Sequence, residues 1–445
     1  MISGDSPLPI PLSPGQFDKL MGIADFWPAR VQSGKEMIAG ILPRWLMICT
    51  TPRHFKLLRR QSDGTYFATE RHADVLETLI DYLSVMTHNA SSSGFSGGVI
   101  GWKSYDFHAG RTHPKPGPDF PVAFFGGYDC YFSRDEQAIC LHVPDPDIGA
   151  QILQHPGLQE DPAPFLLTEA FHAHSSFEDY RRAFESIQQY LHAGDCYQVN
   201  LAQQFTAPCA GSSYEAFNHL MRRTEPPHAA YFGTSFGDII SLSPELFFRF
   251  EDRQVISCPI KGTRPRGRSH HEDEALHRDL STHPKDRAEN LMIVDLLRND
   301  MGKLAETGSV TVEALFEIHT FPNIHHMISR ISARLAPGVH PLRLLFDAFP
   351  GGSITGAPKV RAMEIIAELE DFKRSIYCGS IGWMTPDGRG EWNIAIRTLL
   401  RVDDTAYAWA GGGIVADSVC EDEYQECFNK IGPLLASLEG RFLHP

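Results

Sequence analysis

Residues 243–263 read SPELFFRFEDRQVISCPIKGT, and two alternating runs on either side of Arg253 restrict this segment to a β-hairpin. In the first run Glu245, Phe247 and Arg249 alternate with Leu246, Phe248 and Phe250. In the second, Val255, Ser257, Pro259 and Lys261 alternate with Ile256, Cys258 and Ile260. Strands joined by so short a turn run antiparallel. From about residue 175 onward, strand-like runs and long amphipathic helices intermix without regular βαβ alternation. The expected class is therefore α+β, with mainly antiparallel sheets and helices outside them.

The hairpin also poses a chemical question. Lys261 ends an apolar strand beside Gly262, and Arg264, Arg266 and Arg268 follow it. Like charges favour the free amine, which serves a nucleophile. If the turn pivots on Arg253, Glu245 lies opposite Lys261 with Cβ atoms about 5 Å apart. An even-numbered loop would put the two on opposite faces. Such a pair is either a cross-strand salt bridge or an acid/base beside a nucleophile, because a lysine attacks only after losing its proton. The three arginines read otherwise as a solvated loop.

Charge and cysteine usage narrow the class. A net charge of −15 over 445 residues argues against a nucleic-acid partner, which needs a basic face. The nine cysteines are odd in number and contain no Cys-x-x-Cys pair, so a reduced cytoplasmic compartment is expected rather than a disulfide framework or zinc knuckle. The opening MISGDSPLPIPLSPGQ has no basic region followed by an apolar run, and no stretch reaches membrane-span length. Two regions are expected, 1–165 and 166–445. The first carries short strand-like runs (RWLMICT, FPVAFFGGYDCYF, AICLHV), a helix near RHADVLETLIDYLSVM, turn-rich loops at SSSGFSGG and HPKPGPDF, and the linker PDPDIGAQILQHPGLQEDPAP.

Further candidates lie in the second region. SFEDYRRAFESIQQYLHAGD has a serine start and a glycine stop, as a helix should. In the helix HPKDRAENLMIVDLLRNDMGKL, Glu289 shares an apolar stripe with Ile293 and Leu296, which is costly unless the carboxylate is paired or binds metal. Asp286, Asp295 and Asp300 read as caps or surface charges. In CEDEYQECFNKIGPLL, Glu423 and Glu426 share a helix face with Lys430 one turn on, as an exposed ladder or a site. AYAWAGGGIVADS reads as a strand followed by Gly411, Gly412 and Gly413, either a flexible turn or a cradle of amides for a small anion. EWNIAIRTLLRV reads as one alternating strand, from which Arg397 could clamp a carboxylate. FPGGSITGAPKVRAMEII has the glycine spacing of a phosphate loop, but Ala357-Pro358 breaks the motif and Lys359 comes too late. His325 and His326 in NIHHMIS have no partner at zinc spacing.

Taken in order, GDCYQVNLAQQF, SPELFF, PIKGTRPRG, DRAENLMIVDLLRND, GGSITGAPKVRAMEII, YCGSIGW, NIAIRT and AGGGIVADS…EYQECFNK closely resemble the chorismate-utilising enzymes, over roughly residues 175–433. The resemblance implies that family's fold, antiparallel sheets packed as a sandwich. Relatives that aminate C2 of chorismate typically carry a small residue where this chain has Lys261. Those that aminate C4, in the folate pathway, carry the lysine. The resemblance therefore implies conversion of chorismate and ammonia to 4-amino-4-deoxychorismate through a covalent lysine adduct. By the same resemblance Lys261 is the nucleophile and Glu245 its acid/base, with His326 near the leaving group. Glu289 and Glu426 are Mg²⁺ ligands with Glu423 contributing; Arg397, Gly412, Gly413 and Lys430 hold carboxylates, and Ser353 lines the ring. A separate glutamine amidotransferase subunit is implied as the ammonia source. The alternatives are a C2-aminating or isochorismate/salicylate-type enzyme on the same scaffold, or a non-catalytic ligand-binding subunit.

Overall fold

The turn of the hairpin decides more than its alternation reveals. The computed structural model describes residues 8–86, 94–107, 115–134, 138–321 and 324–443. In it, strands Leu246–Glu251 and Gln254–Cys258 are joined by Asp252 and Arg253, both at positive φ (47° and 64°). Such a two-residue turn matches the twist of antiparallel strands. It pairs Glu251 with Gln254, Phe250 with Val255 and Arg249 with Ile256, so the turn does not pivot on Arg253 alone. An irregularity before Arg249 then sets Leu246 against Cys258. Glu245 precedes its strand, and Pro259, which has no N–H for a ladder, separates Cys258 from the next strand, Ile260–Pro265. Glu245 and Lys261 are therefore not a cross-strand pair.

All the ladders between strands of the described residues are antiparallel, in a 13-stranded and a 12-stranded sheet around one shared hydrophobic core. This is the expected α+β class. Both sheets cross residue 165: strand Ala29–Ser33 pairs with His228–Thr234 in one, and Gly98–Lys103 pairs with Ser380–Met384 in the other. The expected linker is ordered, with a helix Pro146–Leu153 capped by Asp145 that buries Ile152. Of the loops read from sequence, residues 91–93 and 113–114 lie outside the described residues, as do residues 1–7.

Local signals serve the helices well. Helix Phe177–Ala193 starts on a Ser176 capping box and stops at Gly194 in the left-handed region. Helices Pro284–Gly302 and Cys420–Phe442 carry the candidate carboxylates. No helix of the described residues is long and apolar enough to cross a membrane, and all nine cysteines are free thiols.

Candidate functional site

EWNIAIRTLLRV is not one strand. Gly390–Asn393 belongs to the 12-stranded sheet and Thr398–Val402 to the 13-stranded sheet, so residues 394–397 cross between them. This crossover builds one wall of a cleft of about 740 Å³. Arg397 holds a positive φ of 50° and lines that cleft. Its guanidinium has no hydrogen-bond or ion-pair partner among the described residues, and burial pulls it below the usual arginine range. A partly buried cation without a partner, facing a cavity, has the chemistry to bind an anion.

Glu245 is pinned to the same crossover. Its carbonyl accepts from the Ile394 N–H at 3.1 Å, and its N–H donates to Ser243 Oγ at 3.1 Å, while Ser243 Oγ donates to the Ile394 carbonyl at 2.6 Å. Its buried carboxylate accepts from Ser353 Oγ at 2.9 Å, and the Ser353 carbonyl accepts from Lys261 Nζ at 3.1 Å. One serine in the turn Gly352–Ile354 thus joins the two groups that the hairpin leaves unpaired. Burial pushes Glu245 up to about 7, against the opposing pull of Ser353, Lys261 and Lys430. A carboxyl poised there exchanges protons readily at neutral pH. Gly262, at φ 87°, brings the lysine strand against helix Pro284–Gly302; a Cβ there would meet Leu280 at 2.9 Å and Asp286 at 3.0 Å.

Of the three arginines after Lys261, Arg268 is exposed, as a solvated loop would have it, but Arg264 and Arg266 are ion-paired. Arg264 binds Asp279 (2.6 Å) and Asp286 (2.9 Å), and Arg266 binds Asp273 (2.8 Å). Their charge is spent on acids of the two following helices. Asp300, read as a cap or surface charge, is buried between Lys303 (2.9 Å) and Lys359 (2.6 Å). That pairing also commits Lys359 to structure rather than to a phosphate.

The paired histidines diverge, as neighbours on a strand must. His325 turns out of the cleft, toward Asp273 and Thr320 at 3.0 and 2.9 Å. His326 turns in, with Nδ1 2.9 Å from Thr263 Oγ1 on the facing strand. Burial, with Arg397 nearby, pulls it down to about 4, so its imidazole is neutral at neutral pH.

Gly411, Gly412 and Gly413 lie within strand Thr405–Ile414 rather than after it. The ladder to Thr398–Val402 ends at the Leu399–Ala408 pair, which leaves the glycines an open edge on that side. A Cβ on Gly412 would stand 2.8 Å from Glu423 Oε2. Lys430 Nζ donates to the Gly411 carbonyl (2.9 Å) and pairs with Glu426 (2.6 Å). Glu289, Glu423 and Glu426 line one side of the cleft. Burial raises Glu289 above the usual carboxylate range, with Glu423 and Asp286 adding to the effect against Lys261 and Lys285. Burial works against the charge of Glu426 too, but Lys430, Lys261 and Lys285 outweigh it and hold that carboxyl low. Glu423 is tied to Lys285 (3.2 Å) and Ser418 (2.6 Å).

An oxygen-only donor set that includes Glu289, which has no ion-pair partner among the described residues, suits a hard cation such as Mg²⁺. Among the described residues, though, no three His, Cys, Asp or Glu side chains already converge on a metal position. Sequence reasoning passed over Thr263 and Lys285. The signals were present: Thr263 lies two residues beyond Lys261 on its strand, and Lys285 lies one helical turn before Glu289.

Residues 45–436 match the family described as chorismate binding enzyme. The chain is 45% identical over 354 residues to aminodeoxychorismate synthase component 1 of Klebsiella aerogenes, covering 78% of each. It is 41% identical over 392 residues to the protein of that name from Escherichia coli strain K12, covering 85% of each. Its fold superposes on anthranilate synthase component I from Streptococcus pneumoniae TIGR4 with a TM-score of 0.74, at 26% identity over 92% of each chain.

Proposed function

We propose, for a chain that belongs to the chorismate-binding enzyme family, that it is component I of an aminodeoxychorismate synthase, making 4-amino-4-deoxychorismate from chorismate and ammonia. The observation that carries the reading is the Lys261–Ser353–Glu245 chain, which sets an amine and a proton acceptor in one cleft with a free guanidinium. Glu245 takes the proton from Lys261, and the amine forms a bond to C2 of chorismate. Both ring double bonds shift and the C4–O bond breaks, and the hydroxyl leaves as water with the proton that Glu245 returns. Ammonia then bonds to C4, both double bonds shift back, and Lys261 leaves C2 and takes up the proton that the new C4 ammonium releases. His326, neutral, stands by the departing hydroxyl. Arg397, the open-edged main chain of Gly412 and Gly413, and Lys430 hold the substrate's carboxylates.

Glu289 and Glu426, with Glu423, would hold Mg²⁺, whose positive charge would bind a substrate carboxylate in an otherwise acidic protein. Residues 166–445 supply this chemistry, and residues 1–165 complete the sheets behind it. The relatives' designation as component 1 supports a second component. A glutamine amidotransferase subunit that delivers ammonia fills that role.

The deciding experiment incubates purified protein with chorismate, Mg²⁺ and ammonium and identifies the product by mass. Aminodeoxychorismate is expected; anthranilate, isochorismate or unchanged chorismate would each overturn the assignment.

Two substitutions probe the binding and proton roles separately. Arg397→Ala should raise KM for chorismate on the order of 100-fold with a smaller loss in kcat, because a charge-assisted contact to a carboxylate is lost. Equal KM values would remove Arg397 from substrate binding. Ser353→Ala removes an O–H donor that favours ionised Glu245, while keeping the carbonyl that holds Lys261. The acid limb of the kcat/KM profile should then move up by about one pH unit. A limb that stays put would mean that Glu245 is not the group it reports.

A further inference from the structure

The lysines that hold the cleft's carboxylates are not equivalent. Lys430 is fixed twice, by Glu426 at 2.6 Å and by the Gly411 carbonyl at 2.9 Å. Lys285 has Glu423, at 3.2 Å, as its one ion-pair partner among the described residues. Its side chain is 40% exposed, whereas that of Glu423 is 5% exposed. It sits in the first turn of helix Pro284–Gly302, just after Pro284, on a long stem that opens toward solvent. The oxygen it holds, Glu423 Oε1, also accepts from Ser418 Oγ at 2.6 Å, so that atom is fully engaged. A cation entering between Glu289, Glu423 and Glu426 must compete with this ammonium for Glu423, or share the cleft with its charge.

We infer that Lys285 is a displaceable internal counter-cation: it neutralises the carboxylate cluster while no metal is bound and swings out to solvent when a divalent cation enters. The inference rests on the metal reading above and adds to it a residue outside the ligand set. Two consequences follow from Coulomb's law. Removing the competing charge strengthens metal binding, and it leaves the metal-free cluster with unbalanced repulsion. The lysine thus makes metal occupancy reversible while keeping the empty site folded.

The test uses Mn²⁺ as the probe, counted by the loss of its free electron-paramagnetic-resonance signal on titration into the full chain. Lys285→Gln should bind Mn²⁺ roughly tenfold tighter than the unsubstituted protein. Its thermal unfolding midpoint should be lower in chelator and recover on adding Mn²⁺. Lys285→Arg, which keeps the charge, should resemble the unsubstituted protein in both measurements. If the unsubstituted protein binds Mn²⁺ and Lys285→Gln binds it equally or more weakly, Lys285 does not compete, and the inference fails while the metal reading stands. If the unsubstituted protein binds no Mn²⁺, the metal reading fails and takes this inference with it.

Discussion

Replacing Lys261 with alanine should lower the rate of amination on the order of 10³-fold or more while leaving chorismate binding largely intact. The substrate contacts proposed for Arg397, Lys430 and the glycine strand do not involve the lysine, so the loss should fall on kcat. The covalent step gives a sharper readout. With chorismate present and ammonia omitted, the peptide containing Lys261 should gain the mass of chorismate less one water. No such peptide should appear from the alanine variant, nor from protein supplied with excess ammonium. Persistent absence of the adduct, together with an alanine variant that still aminates C4, would take Lys261 out of the nucleophile role.

Glu245→Gln should have opposite effects on activity and stability. Without a proton acceptor for Lys261, activity should fall by about 10²- to 10⁴-fold. Stability should move the other way, and only at higher pH. Burial raises this carboxyl from 4.5 to about 7 in the folded protein, so the native state binds the proton more tightly than the unfolded chain does. The stability gained from holding that proton is present at low pH and is lost as pH rises from 4.5 to about 7. Above pH 7 the buried carboxylate costs on the order of 3 kcal/mol, a cost that glutamine does not carry. The variant should therefore unfold at a temperature roughly 2 °C or more above the unsubstituted protein at pH 8, with little difference at pH 5. Equal destabilisation at both values would show that Glu245 is not an ionising buried group. Kinetics and calorimetry on the same sample test both sides of this trade.

Features encoded by neighbouring residues were legible. The Ser176 and Gly194 caps, the two carboxylate-bearing helices and the alternation of the hairpin each depend on contacts within a few residues, which propensity and periodicity report. Errors arose where a remote element supplied the answer. Asp252-Arg253 carries no Asn-Gly signature, so its two-residue turn, and with it the register, could not be read from composition. Period-two alternation shows the faces of a strand but cannot show that EWN and TLLRV belong to different sheets. Arg264 and Arg266 looked like surplus charge because their acids, Asp279, Asp286 and Asp273, come from helices that follow in sequence and fold back over the strand. Asp300 looked exposed because Lys359, its buried partner, lies far along the chain.

The stretch around Lys261 marks the division most clearly. The sequence alone determined that a lysine, a glutamate before the turn, and a set of acidic helix faces exist in fixed order, since residue type and local periodicity are properties of the chain itself. Whether the lysine and Glu245 meet was decided by tertiary structure. The ladder does not pair them; Ser353, from a turn about a hundred residues away, accepts a hydrogen bond from the lysine on its carbonyl and donates one from its hydroxyl to the glutamate. Burial of Glu245 beneath that turn, which sets its proton affinity near neutrality, likewise depends on which segments cover it, and only the packed fold decides that.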